Sequence, residues 1–205
     1  GTLDLGITGR DMLLDSGAEA EEVKSLGFGG TRFRFAAPGG ATMSLADLTG
    51  KRIATSYSGL VASYLDGHGV KARLIHLDGA VESSVRLGVA DVVADVVETG
   101  TTLKRAGLEL FGDAILESEA ILIQRKGLPA PEGLDLLVRR LSGVITARDY
   151  LMVDYNVPRE LLEAATKVTP GLDAPTVSPL AKDGWVAVRA MIPAKQAQRI
   201  MDALW

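Results

Sequence analysis

Three threonines and a glycine, in Glu98-Thr99-Gly100-Thr101-Thr102-Leu103, follow directly on the apolar stretch ADVVADVV at residues 90–97. Glycine lets the backbone turn tightly. The threonine hydroxyls add donors to a row of backbone N–H groups, and Lys104 and Arg105 follow where a helix is expected to start. A strand, a Gly/Thr loop and a helix N-terminus, in that order, hold phosphate monoesters through amide donors. Asp95 lies just upstream, where a carboxylate can address ribose hydroxyls or a metal-chelated pyrophosphate. The same residues also suit an ordinary turn in which Thr99 or Thr102 caps the helix. The spacing is not the Gly-x-x-x-x-Gly-Lys-Ser/Thr of a nucleotide P-loop, which argues against an ATPase of that kind.

The elements that must carry this loop alternate along the chain. Residues 3–7 (LDLGI) are a short apolar run closed by Thr8-Gly9, and residues 10–17 (RDMLLDSG) have helical spacing with Gly17 as the stop. Residues 31–37 (TRFRFAA) alternate like a half-buried strand, ended by Pro38-Gly39-Gly40. A short helix at 44–48, a strand at 51–56, a helix at 59–67, a strand at 70–77, a helix at 80–87 and the apolar strand at 90–97 follow. Such alternation argues for an α/β sheet with helices on both faces. Residues 114–125 carry further strand character, and KGLPAPEG at 126–133 is the best linker in the chain. Beyond it come a helix from 134 to about 147, a strand at 149–156, a helix at 159–166 and a turn at Thr169-Pro170-Gly171. Strands at 176–179 and 185–191 and a helix at 194–204 complete the chain. This βαββα order suggests most of a ferredoxin-like unit lacking one closing strand.

Composition narrows the chemistry. With 205 residues, 47% of them hydrophobic and 23% charged, the chain reads as soluble and globular, long enough for one large domain or two small ones. A net charge of −4 and no basic stripe argue against a nucleic-acid partner, but not against phosphorylated small molecules. The absence of cysteine excludes disulfides, thiolate zinc sites and cysteine nucleophiles. His68 and His76 are too isolated to build a metal site, and neither has a sequence partner that suggests catalysis. No apolar run reaches the ~18 residues of a membrane span. No signal peptide opens the chain, which makes a cytoplasmic location the default.

Residues 82–103 (ESSVRLGVADVVADVVETGTTL) resemble the signature of the ATP phosphoribosyltransferase family, enzymes of the first step of histidine biosynthesis. The family pattern is an acid six positions before a glycine, then a small residue, a β-branched run, an Asp and a Thr-Gly-x-Thr-Leu loop. Here these are Glu82, Gly88, Ala90, Val93, Asp95 and the loop from Thr99 to Leu103. Residues 3–11 (LDLGITGRD) look like the family segment whose terminal acid, here Asp11, approaches the adenine nucleotide. Residues 52–57 (RIATSY) resemble the segment whose tyrosine, here Tyr57, lies against the purine, and residues 77–82 (LDGAVE) match the turn into the signature helix. Taken by themselves, Asp11 reads as a helix-capping or solvated acid and Tyr57 as a half-buried aromatic at a strand end.

The resemblance implies a long-form member. Its fold would be a two-lobed, periplasmic-binding-protein-like (type II) α/β catalytic domain over residues 1–128. A C-terminal α+β ferredoxin-like regulatory domain would follow over residues 129–205. The implied reaction joins ATP to phosphoribosyl pyrophosphate, giving N1-(5-phosphoribosyl)-ATP and pyrophosphate. Asp95, Thr99 and Thr102 would be the catalytic residues. Asp95, Glu98, Thr99, Gly100, Thr101, Thr102 and Leu103 would bind the phosphoribosyl donor, and Asp11 and Tyr57 the nucleotide. Mg²⁺ would arrive with the substrate, without assigned protein ligands. YLMVDYN at 150–156 and TPGLDAPTVSPL at 169–180 look like the family's histidine-binding segments, which implies Asn156, Leu172 and Thr176 as contacts to inhibitory histidine. AMP would be a second inhibitor, and the protein a dimer or hexamer of identical chains.

The chain departs from the family at identifiable points. Thr101 stands where relatives often have arginine, Asn156 where many have an acid, and Ser58-Gly59 where Pro-Asn is more usual, which predicts a looser turn after Tyr57. It begins at Gly1 inside an expected strand. The resemblance implies a strand with a Lys-Gly element before that point and a closing strand after Trp205. Two other readings stay open: a two-lobed solute-binding protein for an anionic small molecule, and a catalytically impaired regulatory relative.

Overall fold

The first apolar run forms β1 (Leu5–Gly9), and α1 (Arg10–Ser16) starts at once, stopped by Gly17 in the left-handed conformation at φ 59°. The computed structural model describes residues 3–40, 43–97 and 100–205. Strand β2 (Ala20–Ser25) follows; its sequence, AEEVKS, has too little apolar alternation for sequence reading to find it. Then come β3 (Thr31–Pro38), β4 (Arg52–Thr55), α2 (Ser58–Gly67), β5 (Arg73–His76), α3 (Ser83–Arg86), β6 (Val92–Val97) and α4 (Thr101–Arg105). The expected helix at 44–48 is only a 3₁₀ turn, Ala46–Leu48. The strand character at 114–125 resolves into two strands, β7 (Leu108–Ser118) and β8 (Ala120–Arg125), separated by Glu119.

These strands make two sheets. One is three-stranded in the order β1-β8-β2, with β8 antiparallel to both neighbours. The other is five-stranded in the order β5-β4-β6-β3-β7. The β5–β4 and β4–β6 pairs are parallel, whereas β3 is antiparallel to both its neighbours, β6 and β7, so the expected α/β sheet is mixed. Helices do cover both its faces. Phe33, Phe35, Val92 and Ala94 pack with Leu60, Val61 and Leu65 of α2, while Ala36, Val93 and Val97 pack with Leu103 of α4. The chain passes between the sheets twice, at residues 26–30 and at Glu119, which gives the two-lobed form. The passages are pinned to each other, because the Leu26 N–H donates to the Ala120 carbonyl at 3.0 Å and the Ala120 N–H to the Phe28 carbonyl at 2.9 Å.

All of this lies in one compact unit, Gly1–Glu132, and a second spans Gly133–Trp205. The second unit runs α5 (Leu134–Asp149), β9 (Tyr150–Pro158), α6 (Leu162–Val168), β10 (Thr176–Pro179), β11 (Trp185–Pro193) and α7 (Ala197–Ala203). Its three strands form an antiparallel sheet in the order β10-β11-β9, the ferredoxin-like arrangement of those three strands. Val186 and Val188 are fully buried on the face packed against Ala165 and Leu162 of α6. No helix among the described residues is long and apolar enough to cross a membrane.

Candidate functional site

Asp95 sits on β6, directly across from Arg34 on β3. It is half-buried between Val93 and Val97, whose side chains share its face, and it accepts a hydrogen bond from the Val96 N–H at 2.7 Å. Burial pushes its carboxyl above the usual carboxylate range; the Val96 N–H opposes that and the nearby Glu82 adds to it. Glu98 and Thr99 lie outside the described residues. Gly100 has φ 72°, which an L side chain rarely adopts, and it opens α4. Thr101 and Thr102 are the first residues of α4, both exposed, and Leu103 is buried in the core below. A recess of about 270 Å³ is lined by Gly100, Thr101, Thr102 and Leu103 together with Thr31, Val96 and Val97.

One expectation about this loop is corrected. The helix begins at Thr101, so Lys104 and Arg105 end it rather than start it. The Lys104 N–H donates to the Gly100 carbonyl at 3.0 Å, the first backbone bond of this short helix. A helix this short adds little macrodipole.

A larger cleft of about 480 Å³ adjoins the recess, for Thr31 and Val97 line both. Its other walls come from Arg10, Gly30, Arg32, Glu117, Ser118 and Glu119, at the passages between the sheets. Arg10 is held by Glu22 at 2.8 Å and by Glu119 at 3.2 Å, which leaves its charge largely spent on the protein. Arg32 reaches Glu117 at 3.2 Å and is well exposed. None of these residues was legible as a site in the sequence, because the pairing of Thr31 with Ser118 that assembles them is a long-range register.

Asp11 lies in the first turn of α1. Tyr57 ends the segment after β4 and meets Phe33 edge-on, with ring centres 5.2 Å apart. Its phenol is pushed up by burial first and then by Asp11, with Asp95 and Asp15 adding their fields. Asp11, Tyr57 and Asp95 are thus neighbours in space, though far apart in sequence. The turn after Tyr57 is not loosened by Ser58-Gly59, since α2 starts at Ser58 and α1 packs hard against Gly59. His76 does have partners, which sequence reading missed: the Ser58 hydroxyl lies 3.2 Å from Nδ1 and Asp78 Oδ1 3.0 Å from Nε2. Both the imidazole and Asp78 are open to water.

In the second unit, Asn156 pairs with Ala187 and Thr176 with Arg189. Ala187 and Arg189 project opposite to the buried Val186 and Val188, so Asn156 and Thr176 share the sheet face away from α6. Leu172 lies in the turn before β10 and is exposed. Between the two polar positions, Arg189 and Asp154 form an ion pair at 3.0 Å.

Fold and site together define a two-lobed α/β unit with a Thr- and Gly-lined recess at the end of β6, followed by a ferredoxin-like unit. Family models confirm and specify this: "ATP phosphoribosyltransferase" matches residues 1–143 and "HisG, C-terminal domain" residues 147–205. The chain belongs to the ATP phosphoribosyltransferase family. It is 58% identical to the ATP phosphoribosyltransferase of Pseudarthrobacter chlorophenolicus and 59% identical to that of Micrococcus luteus, covering 100% of this chain and 73% of each relative. Among solved structures it is similar to the ATP phosphoribosyl transferase (HisG:HisZ) complex from Thermotoga maritima. That match has a TM-score of 0.62 and 28% identity, and covers 72% of each chain.

Proposed function

We propose that this protein condenses ATP with phosphoribosyl pyrophosphate in the first step of histidine biosynthesis. The observation that carries the reading is a pair of adjacent hollows, a Thr/Gly recess and a larger cleft that share Thr31 and Val97 in their walls, with Asp95, Asp11 and Tyr57 neighbours of one another close by. The amides and hydroxyls of Gly100, Thr101 and Thr102, with Thr99, hold the 5′-phosphate of the donor, and Glu98 and Leu103 flank it. Asp95 orients the ribose hydroxyls. Asp11 and Tyr57 place the purine. Adenine N1 then attacks ribose C1 with its own lone pair as the C1–O bond to pyrophosphate breaks, and the electron pair leaves with pyrophosphate. The nucleophile needs no deprotonation, which agrees with the lack of a general base among the residues the resemblance marks.

Among the described residues no three of His, Cys, Asp and Glu cluster as a metal cage. Asp95 with Glu82 nearby is instead the kind of donor set that suits a Mg²⁺ ion carried in by phosphates, which uses one or two carboxylates and keeps its other ligands on substrate and water. When bound, Mg²⁺ neutralises charge on the pyrophosphate.

We further infer a domain division near residues 128–129, a cytoplasmic enzyme of identical subunits, and feedback inhibition by histidine at Asn156, Leu172 and Thr176, with AMP competing at the nucleotide site. The decisive experiment measures pyrophosphate release. Release that requires both ATP and phosphoribosyl pyrophosphate and is suppressed by histidine supports the whole reading. Binding of donor without turnover points instead to the regulatory relative, and no binding of either substrate overturns the proposal.

A further inference from the structure

Ser118, the last residue of β7, is only 6% exposed. Its hydroxyl accepts a hydrogen bond from the Asp11 backbone N–H at 3.0 Å and donates one to Asp11 Oδ1 at 2.9 Å. A second constraint acts on the same oxygen from Gly9, where an added Cβ would stand 2.2 Å from Asp11 Oδ1. The carboxylate therefore folds back over a residue that must have no side chain, and it is held there by a hydroxyl from a strand more than a hundred positions along the chain (|i−j| = 107). Gly9 cannot cap α1 itself, so Ser118 takes that place from outside the helix. The next residue, Glu119, repeats the link, since its carbonyl accepts from the Arg10 N–H at 3.0 Å and its carboxylate from Arg10 Nη2 at 3.2 Å.

An exposed aspartate samples several rotamers, and a ligand that needs one of them must suppress the rest on binding. Here Oδ1 is already engaged, and the orientation of Oδ2 is set before any ligand arrives. We propose that Ser118 and Gly9 are positioning residues that pre-set the Asp11 carboxylate for the purine nucleotide. They also tie that carboxylate to the second passage between the two sheets. This rests on the assignment of Asp11 to the nucleotide site.

The test is steady-state kinetics on the purified protein carrying Ser118→Ala, Ser118→Thr, Gly9→Ala, Asp11→Ala and the double variant Asp11→Ala/Ser118→Ala. Ser118→Ala should raise KM for ATP about tenfold, the scale of a lost hydrogen bond to a charged group, while KM for phosphoribosyl pyrophosphate changes less than about twofold. Ser118→Thr, which keeps the hydroxyl, should restore most of the loss. In the Asp11→Ala background the Ser118 substitution should add nothing, because no carboxylate is left to position. Equal damage to both substrates, or an undiminished Ser118 effect without Asp11, overturns the proposal. If Ser118→Ala fails to fold, Gly9→Ala displaces the carboxylate with Ser118 intact, and it must show the same ATP-selective loss. Should Asp11→Ala itself leave KM for ATP unchanged, the nucleotide assignment fails; if it raises KM and Ser118→Ala and Gly9→Ala do not, only the positioning role fails.

Discussion

Asp15 Oδ1 accepts a hydrogen bond from the Leu60 backbone N–H at 3.0 Å, so a side chain of α1 caps the start of α2. Tyr57, the residue at the N-cap position of α2, makes no side-chain cap of its own. The two helices come so close that a Cβ on Gly59 would lie 2.3 Å from the Asp15 carbonyl oxygen. Gly59→Ala is therefore expected to destabilise the protein by about 1–3 kcal/mol through backbone displacement. Asp15→Ala should cost about 1 kcal/mol as a lost cap. Urea denaturation checks both, and a Gly59→Ala midpoint equal to that of the parent would show that the helices do not hold this approach in solution.

Asp95 combines burial with a raised carboxyl pKa, which sets stability against function. A raised folded pKa means that the charged form is disfavoured in the fold, so neutralising the group should help the ligand-free protein. Asp95→Asn is expected to raise Tm without substrate while lowering kcat/KM for phosphoribosyl pyrophosphate about 10- to 100-fold, by loss of a charged acceptor. Thermal melts and initial rates on one preparation decide it. A fall in both Tm and activity would mark Asp95 as structural.

The Asp91–Arg52 pair gives a pH signature remote from the site. Arg52 binds both Asp91 oxygens, Nη2 at 2.8 Å from Oδ1 and Nε at 3.2 Å from Oδ2, and its backbone N–H donates to Oδ2 at 2.9 Å. These bonds, the guanidinium's first, lower the Asp91 carboxyl from 3.8 to about 2. Because the folded pKa lies below the ordinary one, the stabilisation is complete above 3.8 and is lost as the pH falls through about 2. The difference in urea midpoint between parent and Asp91→Asn should thus be flat near neutrality and shrink across that acid window. A difference that persists unchanged down to pH ~2 would contradict this linkage.

In the second unit, Asn156 presents a neutral side chain on the open sheet face that carries Thr176. Replacing it by aspartate should strengthen binding of the histidine ammonium about 5- to 30-fold, on the scale of a charge-assisted hydrogen bond. Isothermal titration with histidine and inhibition curves report it, and an unchanged affinity would move the histidine site elsewhere.

What sequence could read here was local. Gly17, Gly100 and the apolar run before the Thr/Gly loop announce their conformations through steric rules that act within a few residues. The parallel strands and their covering helices were equally legible, since apolar spacing records which face is buried. Strand β2 was lost because an edge strand with Glu21, Glu22 and Lys24 looks like solvent-facing chain. The larger cleft was lost for another reason. Ser118 meets Asp11 and Thr31 only after β7 and β3 have paired, and no local pattern encodes that register.

The double passage between sheets also governs how this unit can be made. Strands β1 and β2 are not paired with each other; both pair with β8, which is reached only after the whole five-stranded sheet has been threaded. On the ribosome, β1 and β2 emerge before the strands of the larger sheet, and the strand they share as partner is complete only once Arg125 has emerged. A nascent chain halted shortly before that residue should leave β1 and β2 open to protease while the larger sheet is already protected.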